Sequence, residues 1–307
     1  MGRFFRRLGI VVLIGLAGLG GCVYNRITNL GYDSITEDAF MIDGFGSNVG
    51  VLRTDAGTVL VDSMALPMQG KRIRALAEEL TGQPVRIVIS THYHLDHTHG
   101  NPAFDPETEF VSTTRTLANL RARDGAFWKG DNASKLPETT FDHEHEIKLG
   151  GKTIRLIHPG RGHTDGDLVV LFVEDRVLHT GDLVFHERYP NIDLEGGGSI
   201  ERWIETLDRV ATLDFDSVIP GHGLLGDVNS LRNFQQYLRD LWSVGKSAAQ
   251  RGASLEQTLD SADLSAYSHY EVMSVPFIMR LDRDFNVTRA WEEATGNFTY
   301  VPAEIGG

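Results

Sequence analysis

The stretch Thr91-His92-Tyr93-His94-Leu95-Asp96-His97-Thr98-His99-Gly100-Asn101 follows directly on Val85-Arg86-Ile87-Val88-Ile89-Ser90. The second segment is short, rich in β-branched residues and preceded by Pro84, so it reads as a buried strand. Two histidines spaced two apart on extended chain point to the same side. Asp96 and His97 come next, in the turn beyond. Four side chains able to bind a metal thus fall within the six residues 92–97, at the end of a buried strand. Imidazoles and a carboxylate placed there without a cation would lack partners, which is costly.

Three further candidates lie at comparable places. His163 precedes a strand starting at Leu168. Asp182 follows a strand ending at Thr180, in His179-Thr180-Gly181-Asp182, and His222 follows one ending at Ile219, in Pro220-Gly221-His222-Gly223. In open α/β sheets, ligands bind beyond the carboxyl ends of strands.

The rest of the pattern supports a layered α/β domain. Val49–Leu52 and Thr58–Asp62 read as strands joined at Asp55-Ala56-Gly57. Ile73, Leu76, Ala77 and Leu80 recur at helical spacing and predict a helix over about 68–81. A helix is expected near 114–123, then a loop to about 140, then a hairpin over 147–157 turning at Gly150-Gly151. Leu168–Val173 and Arg176–His179 make another strand pair. Ser199 can cap a helix whose apolar face is Ile200, Trp203, Ile204, Leu207 and Val210. Ser217–Pro220 is a last short strand, and Leu231, Phe234, Leu238 and Leu241 mark a long C-terminal helix. The remainder, to about 303, reads as helical and irregular, suited to packing and to covering a cleft.

The ordered set His-x-His-x-Asp-His, His, Asp, His resembles the metallo-β-lactamase superfamily over residues about 40–225. The resemblance implies a four-layer αββα sandwich, with metals at one sheet edge and here a C-terminal helical extension. It also implies a ligand set. His92, His94 and His163 would bind a first zinc; Asp96, His97 and His222 a second; Asp182 would bridge both. Five imidazoles and two carboxylates suit zinc, and also iron or manganese. The family's flavodiiron oxidoreductases typically carry Glu at the position of His94, so this His points to hydrolysis. True β-lactamases of the family place Cys or Ser where Asp182 stands; a bridging Asp is the pattern of thioesterases and lactonases.

The reading that follows is a dinuclear zinc hydrolase. Two metals about 3.5–4 Å apart hold a hydroxide between them, and zinc lowers the pKa of bound water toward about 7. That hydroxide would attack the carbonyl of an ester, lactone, thioester or amide, β-lactams included. Asp96 would ligate, orient the nucleophile and pass a proton to the leaving group. Two alternatives stay open: an exported metal-binding protein without turnover, and a mononuclear iron dioxygenase of the same fold.

Other residues have plainer readings. His99, His158 and His179 read as histidines that support the ligands or pack in the core. His143 and His145 alternate with Glu144 and Glu146 as on a solvated strand face. Trp203 and Trp242 fit helix core faces. Arg161 could meet an anionic substrate or a surface carboxylate. The segment from Phe185 to Gly198 lacks periodicity and is expected to be a substrate loop, with Tyr189 an oxyanion donor.

Composition bounds the rest. The 307 residues are 41% hydrophobic and 23% charged, as in globular proteins, and carry a net charge of −13 that repels phosphate backbones. Nucleic acid is therefore not an expected partner; a small carbonyl substrate is. The single cysteine, Cys22, cannot form an internal disulfide. It follows a basic start, an uncharged run from Leu8 to Leu19, and Gly20-Gly21. This resembles a bacterial lipobox, so residues 1–21 are expected to be a lipoprotein signal peptide and Cys22 a lipidation site. An uncleaved anchor helix and an ordinary signal peptide are the alternatives. Val23 after the Cys favours the outer membrane, facing the periplasm. The expected organisation is a tether over 22–35, the catalytic domain over 36–226, and the extension over 227–307.

Overall fold

Along the central strands almost every residue is buried, and successive side chains serve two different cores. The computed structural model describes residues 29–275 and 279–305; the expected signal peptide, Cys22 and the first part of the tether lie outside them. Strand β2 (Ala39–Asp43) sends Ala39 and Met41 one way and Phe40 and Ile42 the other. Strands β4 (Gly57–Val61) and β5 (Val85–Ile89) alternate likewise, with Val59, Val61, Ile87 and Ile89 on one face and Leu60 and Val88 on the other. This is why their sequence is continuously apolar: a strand covered on both faces has no polar side to show.

Seven strands form the first sheet, in chain order β1 to β7. The others are β1 (Gly31–Ser34), β3 (Val49–Thr54), β6 (Glu109–Thr113) and β7 (Thr139–Phe141). Strand β1 occupies residues expected to be tether. It is exposed along its length and pairs with β2 antiparallel, so only its backbone ladder fixes it there. Between β4 and β5 runs α1 (Pro67–Thr81), which ends on left-handed Gly82 and buries Ile73 and Ala77. Helix α2 (Leu95–Thr98) is a single turn, and α3 (Thr114–Arg123) is capped by Thr113.

The second sheet has five strands in the order β12-β11-β10-β9-β8. They are β8 (Glu144–Leu149), β9 (Lys152–Ile157), β10 (Val169–Phe172), β11 (Val177–Phe185) and β12 (Ser217–His222). Helix α4 (Ile200–Val210) links the parallel pair β11 and β12. The extension contributes α5 (Val228–Arg251), α6 (Leu255–Ser261), a small hairpin of β13 (Met273–Val275) and β14 (Met279–Leu281), and α7 (Arg283–Thr295).

Three apolar clusters define the layers. One lies between the sheets and includes Leu52, Val111, Leu156, Phe172 and Ile219. A second joins the first sheet to α1. The third joins the second sheet to α4, α5 and α7 around Trp203, Phe234 and Tyr237. The result is the expected four-layer αββα sandwich with a helical extension packed on its outer face. No helix among the described residues is long and apolar enough to cross a membrane.

One strand departs from the sequence reading in a way that matters. Strand β11 does not stop at Thr180. It continues through Asp182 to Phe185, with register shifts against β12 on either side of Gly181. Gly181 adopts φ +49, and a Cβ there would lie 2.6 Å from the Thr91 side chain. The irregularity turns Asp182 out of the ladder's alternation, toward the ends of β5 and β12.

Candidate metal centre

All seven residues expected to be ligands converge. His92, His94, His163 and Asp182 form one group, and Asp96, His97 and His222 a second; ligand atoms within each lie within 4.8 Å of one another. Asp182 faces both. Its Oδ2 is 3.4 Å from His163 Nε2 and 3.8 Å from His92 Nε2, while its Oδ1 is 3.1 Å from His97 Nε2 and 3.4 Å from His222 Nε2. Asp96 Oδ2 approaches His222 Nε2 at 3.3 Å.

The hydrogen bonds around this cluster decide which nitrogen each imidazole offers inward. Nδ1–H of His163 donates to the carbonyl of Asn191 at 2.7 Å. His97 donates through Nδ1 to Asp62 Oδ2 at 2.7 Å. Thr91 Oγ1 gives its proton to Asp62 Oδ2, so its oxygen accepts from His92 Nδ1 at 3.0 Å. His94 is reversed: its Nε2 donates to Asp193 Oδ2 at 3.0 Å, and its Nδ1 faces His163 Nε2 at 2.9 Å. In these four rings the outward bond sets the tautomer that turns a lone pair inward once a cation is present, whereas His222 Nδ1 is buried without a partner. His92 Nε2, His97 Nε2 and Asp182 Oδ1 are buried with no hydrogen-bond partner. Lone pairs converging with two carboxylates on a buried space fit metal cations, and would be unfavourable without them.

Protonation follows the same logic. Burial pushes His163 down to about 4 and holds His92 well below the usual imidazole range, so both are neutral and ready to ligate. Burial also opposes charge on His222, but Asp182 and Asp96 outweigh it and raise this imidazole to about 9. Asp96 and Asp182 are buried as well, yet the neighbouring histidines keep both carboxyls below their ordinary range. The centre calls for positive charge at its middle, which a cation supplies better than protons.

The site opens on one side. The Asp96 and His94 side chains are 29% and 17% exposed, whereas those of His92, His97, His163, Asp182 and His222 are at most 3%. The loop Gly44–Asn48 lies beside this opening; Ser47 Oγ donates to the carbonyl of Asp96 at 2.5 Å, and Phe45 on the same loop is exposed. Leu95 and Leu224, next to the ligands in sequence, are also exposed.

Two supporting carboxylates escaped the sequence reading. Asp62 ends β4 with φ 69, a left-handed conformation costly for a non-glycine residue, and it receives Thr91 N, Thr91 Oγ1 and His97. A charged residue directly after a fully buried strand was its only signal. Asp193 accepts from His94 and, at 2.5 Å, from the Tyr93 hydroxyl. It lies in a segment without periodicity, so no local pattern could place it.

Tyr189 is not at the opening. It is buried among Tyr237 and Tyr270, and its hydroxyl donates to the carbonyl of Tyr267 at 3.1 Å. The extension, which local sequence could not position, takes the group expected to serve as oxyanion donor. Arg161 is likewise engaged: its Nε donates to Gly197 O at 2.7 Å, and its guanidinium lies over the Tyr300 ring. Its bonds run to backbone and an aromatic ring rather than to a surface carboxylate. His99 bonds to Asp124, His158 to the carbonyl of Asp167, and His179 is buried and accepts from Gly181 N, all in supporting places. His143 and His145 flank or lie on the edge strand β8, whose residues alternate between exposed and partly buried.

Residues 42–222 match the family model of the metallo-beta-lactamase superfamily. The chain belongs to that superfamily, and at that level it is a metal-dependent hydrolase. It is similar to the 2,4-dinitroanisole O-demethylase subunit alpha of Nocardioides sp. (strain JS1661), 30% identical over 76% of this chain and 70% of the relative. It is also similar to the metallo-beta-lactamase type 2 of Bacillus sp. (strain 170), 27% identical over 65% of this chain and 73% of the relative. Among solved structures, a metallo-beta-lactamase from Pontibacter korlensis superposes with a TM-score of 0.60 at 23% identity, covering 69% of this chain and 99% of that one. This last likeness concerns the fold.

Proposed function

We propose that the protein is a dinuclear zinc hydrolase of small carbonyl compounds, with His92, His94 and His163 at one metal, Asp96, His97 and His222 at the other, and Asp182 between them. The observation that carries this reading is the Asp182 carboxylate, which turns one oxygen to each histidine group. Two zinc ions held there would supply an activated water and polarise a substrate carbonyl. The chain's own residues do the rest. His92 and His163 stay neutral through burial and hold their lone pairs inward. Asp193 and Asp62 fix the ring orientations of His94 and His97. Asp96 is the carboxylate on the open side; kept ionised by His97 and His222, it can accept a proton and return it to a leaving group.

The exposed Phe45, Leu95 and Leu224 beside the ligands favour a substrate with an apolar or aromatic body. The relatives' names point the same way only in part: one acts on an aryl ether, others on β-lactams. The test is a hydrolysis panel of an aryl ester, a lactone, a thioester, a chromogenic cephalosporin and a nitro-substituted anisole, with and without chelator. Chelator-sensitive turnover is expected, fastest on the aryl ester. Turnover insensitive to chelator would remove the zinc centre from the reading, and no turnover on any member would remove the proposed carbonyl substrates. We also propose export with a lipid on Cys22, on the strength of the N-terminal sequence alone.

A further inference from the structure

The segment 186–199, between β11 and α4, carries the groups that orient two of the three histidines of the first triad from outside. The Asn191 carbonyl accepts from His163, and Asp193 accepts from His94. The segment has almost no regular structure of its own. The domain holds its ends and its Gly196–Gly197 turn, and the C-terminal extension grips it at several further points. Arg188 forms a β-bridge and an ion pair with Glu271, Tyr189 is fixed by Tyr267, and Arg289 reaches Glu195 at 2.6 Å. Glu293 accepts from Ser199 Oγ and Ile200 N. At the centre is Asn286 on α7, fully buried. Its Nδ2 donates to the carbonyl of Pro190 at 2.8 Å, and its Oδ1 accepts from the Tyr237 hydroxyl at 2.6 Å. Pro190 precedes Asn191, so the path from α5 through Asn286 to His163 is continuous.

We propose that Asn286 is a positioning residue for the first metal, and that the extension sets that site's affinity by fixing the 186–199 segment. The second triad is oriented differently. Its His97 leans on Asp62, at the end of β4, inside the sandwich. Asp62 also reaches the first site, through Thr91 and His92, but only the first site draws on the 186–199 segment. A defect in the extension weakens one site and spares the other.

The inference rests on the reading of two metal sites, and the test separates the two. Zinc is titrated against a chromophoric chelator to resolve two binding steps in the full chain. Asp193→Asn marks the step belonging to the first site, and His222→Ala the step belonging to the second. Asn286→Asp keeps the acceptor for Tyr237 and removes the donor to Pro190. It is expected to weaken the Asp193-sensitive step about tenfold, the scale seen when a group behind a ligand is removed, and to leave the His222-dependent step unchanged. Both steps weakened equally, or neither weakened, would overturn the proposal. Should Asn286→Asp fail to fold, Glu195→Gln decides: the surface ion pair with Arg289 is lost, and the same step must weaken, by less. No change there overturns the proposal. Unmodified protein binding fewer than two zincs would instead remove the metal reading on which it stands.

Discussion

Asp167 is buried in the loop that presents His163, accepting from the backbone N–H and the hydroxyl of Thr164. Burial nevertheless pushes its carboxyl up from 3.8 to about 8. Between those values the folded chain binds a proton that the unfolded chain releases. The associated stability is present at low pH and is lost as pH rises toward about 8. Asn cannot titrate, so Asp167→Asn is expected to remove this dependence. Thermal unfolding of metal-free protein, followed from pH 5 to 8, should show the unmodified chain losing stability relative to the variant as pH rises. Parallel curves would mean that the carboxyl is not held protonated.

At the same scale, the residues that gather into the candidate metal centre were legible because metal chemistry demands particular residue types in a particular order. Asp62 and Asp193 were not, since one carboxylate in a strand end or an irregular loop has no pattern to betray it. Tyr189 was misplaced for a related reason. Its surroundings are set by Tyr267 and Tyr270, about 80 residues further along the chain, and no local rule anticipates that packing.

Among the elements, legibility followed periodicity. Helix α4 could be drawn from Ile200, Trp203, Ile204, Leu207 and Val210, with Ser199 accepting from Arg202 N as its cap. Helix α1 and strands β4 and β5 were equally clear. The failures were elements shaped by long-range pairing. Strand β1 is exposed throughout and exists only because β2 offers it an edge. Strand β11 runs past the Gly181 irregularity because β12 accompanies it, and that longer course is what brings Asp182 between the two triads. The 186–199 segment is the extreme case: it takes its shape from distant partners, in the domain and in the extension.

For the whole molecule, the fold class followed from apolar runs buried on both faces, and the site sits where the ends of β5 and β12 meet the Gly181 irregularity of β11. The extension was expected as packing over the domain; its structure adds a second duty, support of the site loop. The net charge of −13 agrees with a substrate that is not a polyanion. The N-terminal reading predicts that Cys22→Ala abolishes incorporation of labelled fatty acid and releases the protein from membranes on fractionation. Retained labelling would contradict it.

The most direct test of the central claim is the metal content of the purified protein by elemental analysis. The account predicts about two zinc ions per chain, both removable by chelator. A single iron per chain, or no metal after reconstitution with excess zinc, would contradict it.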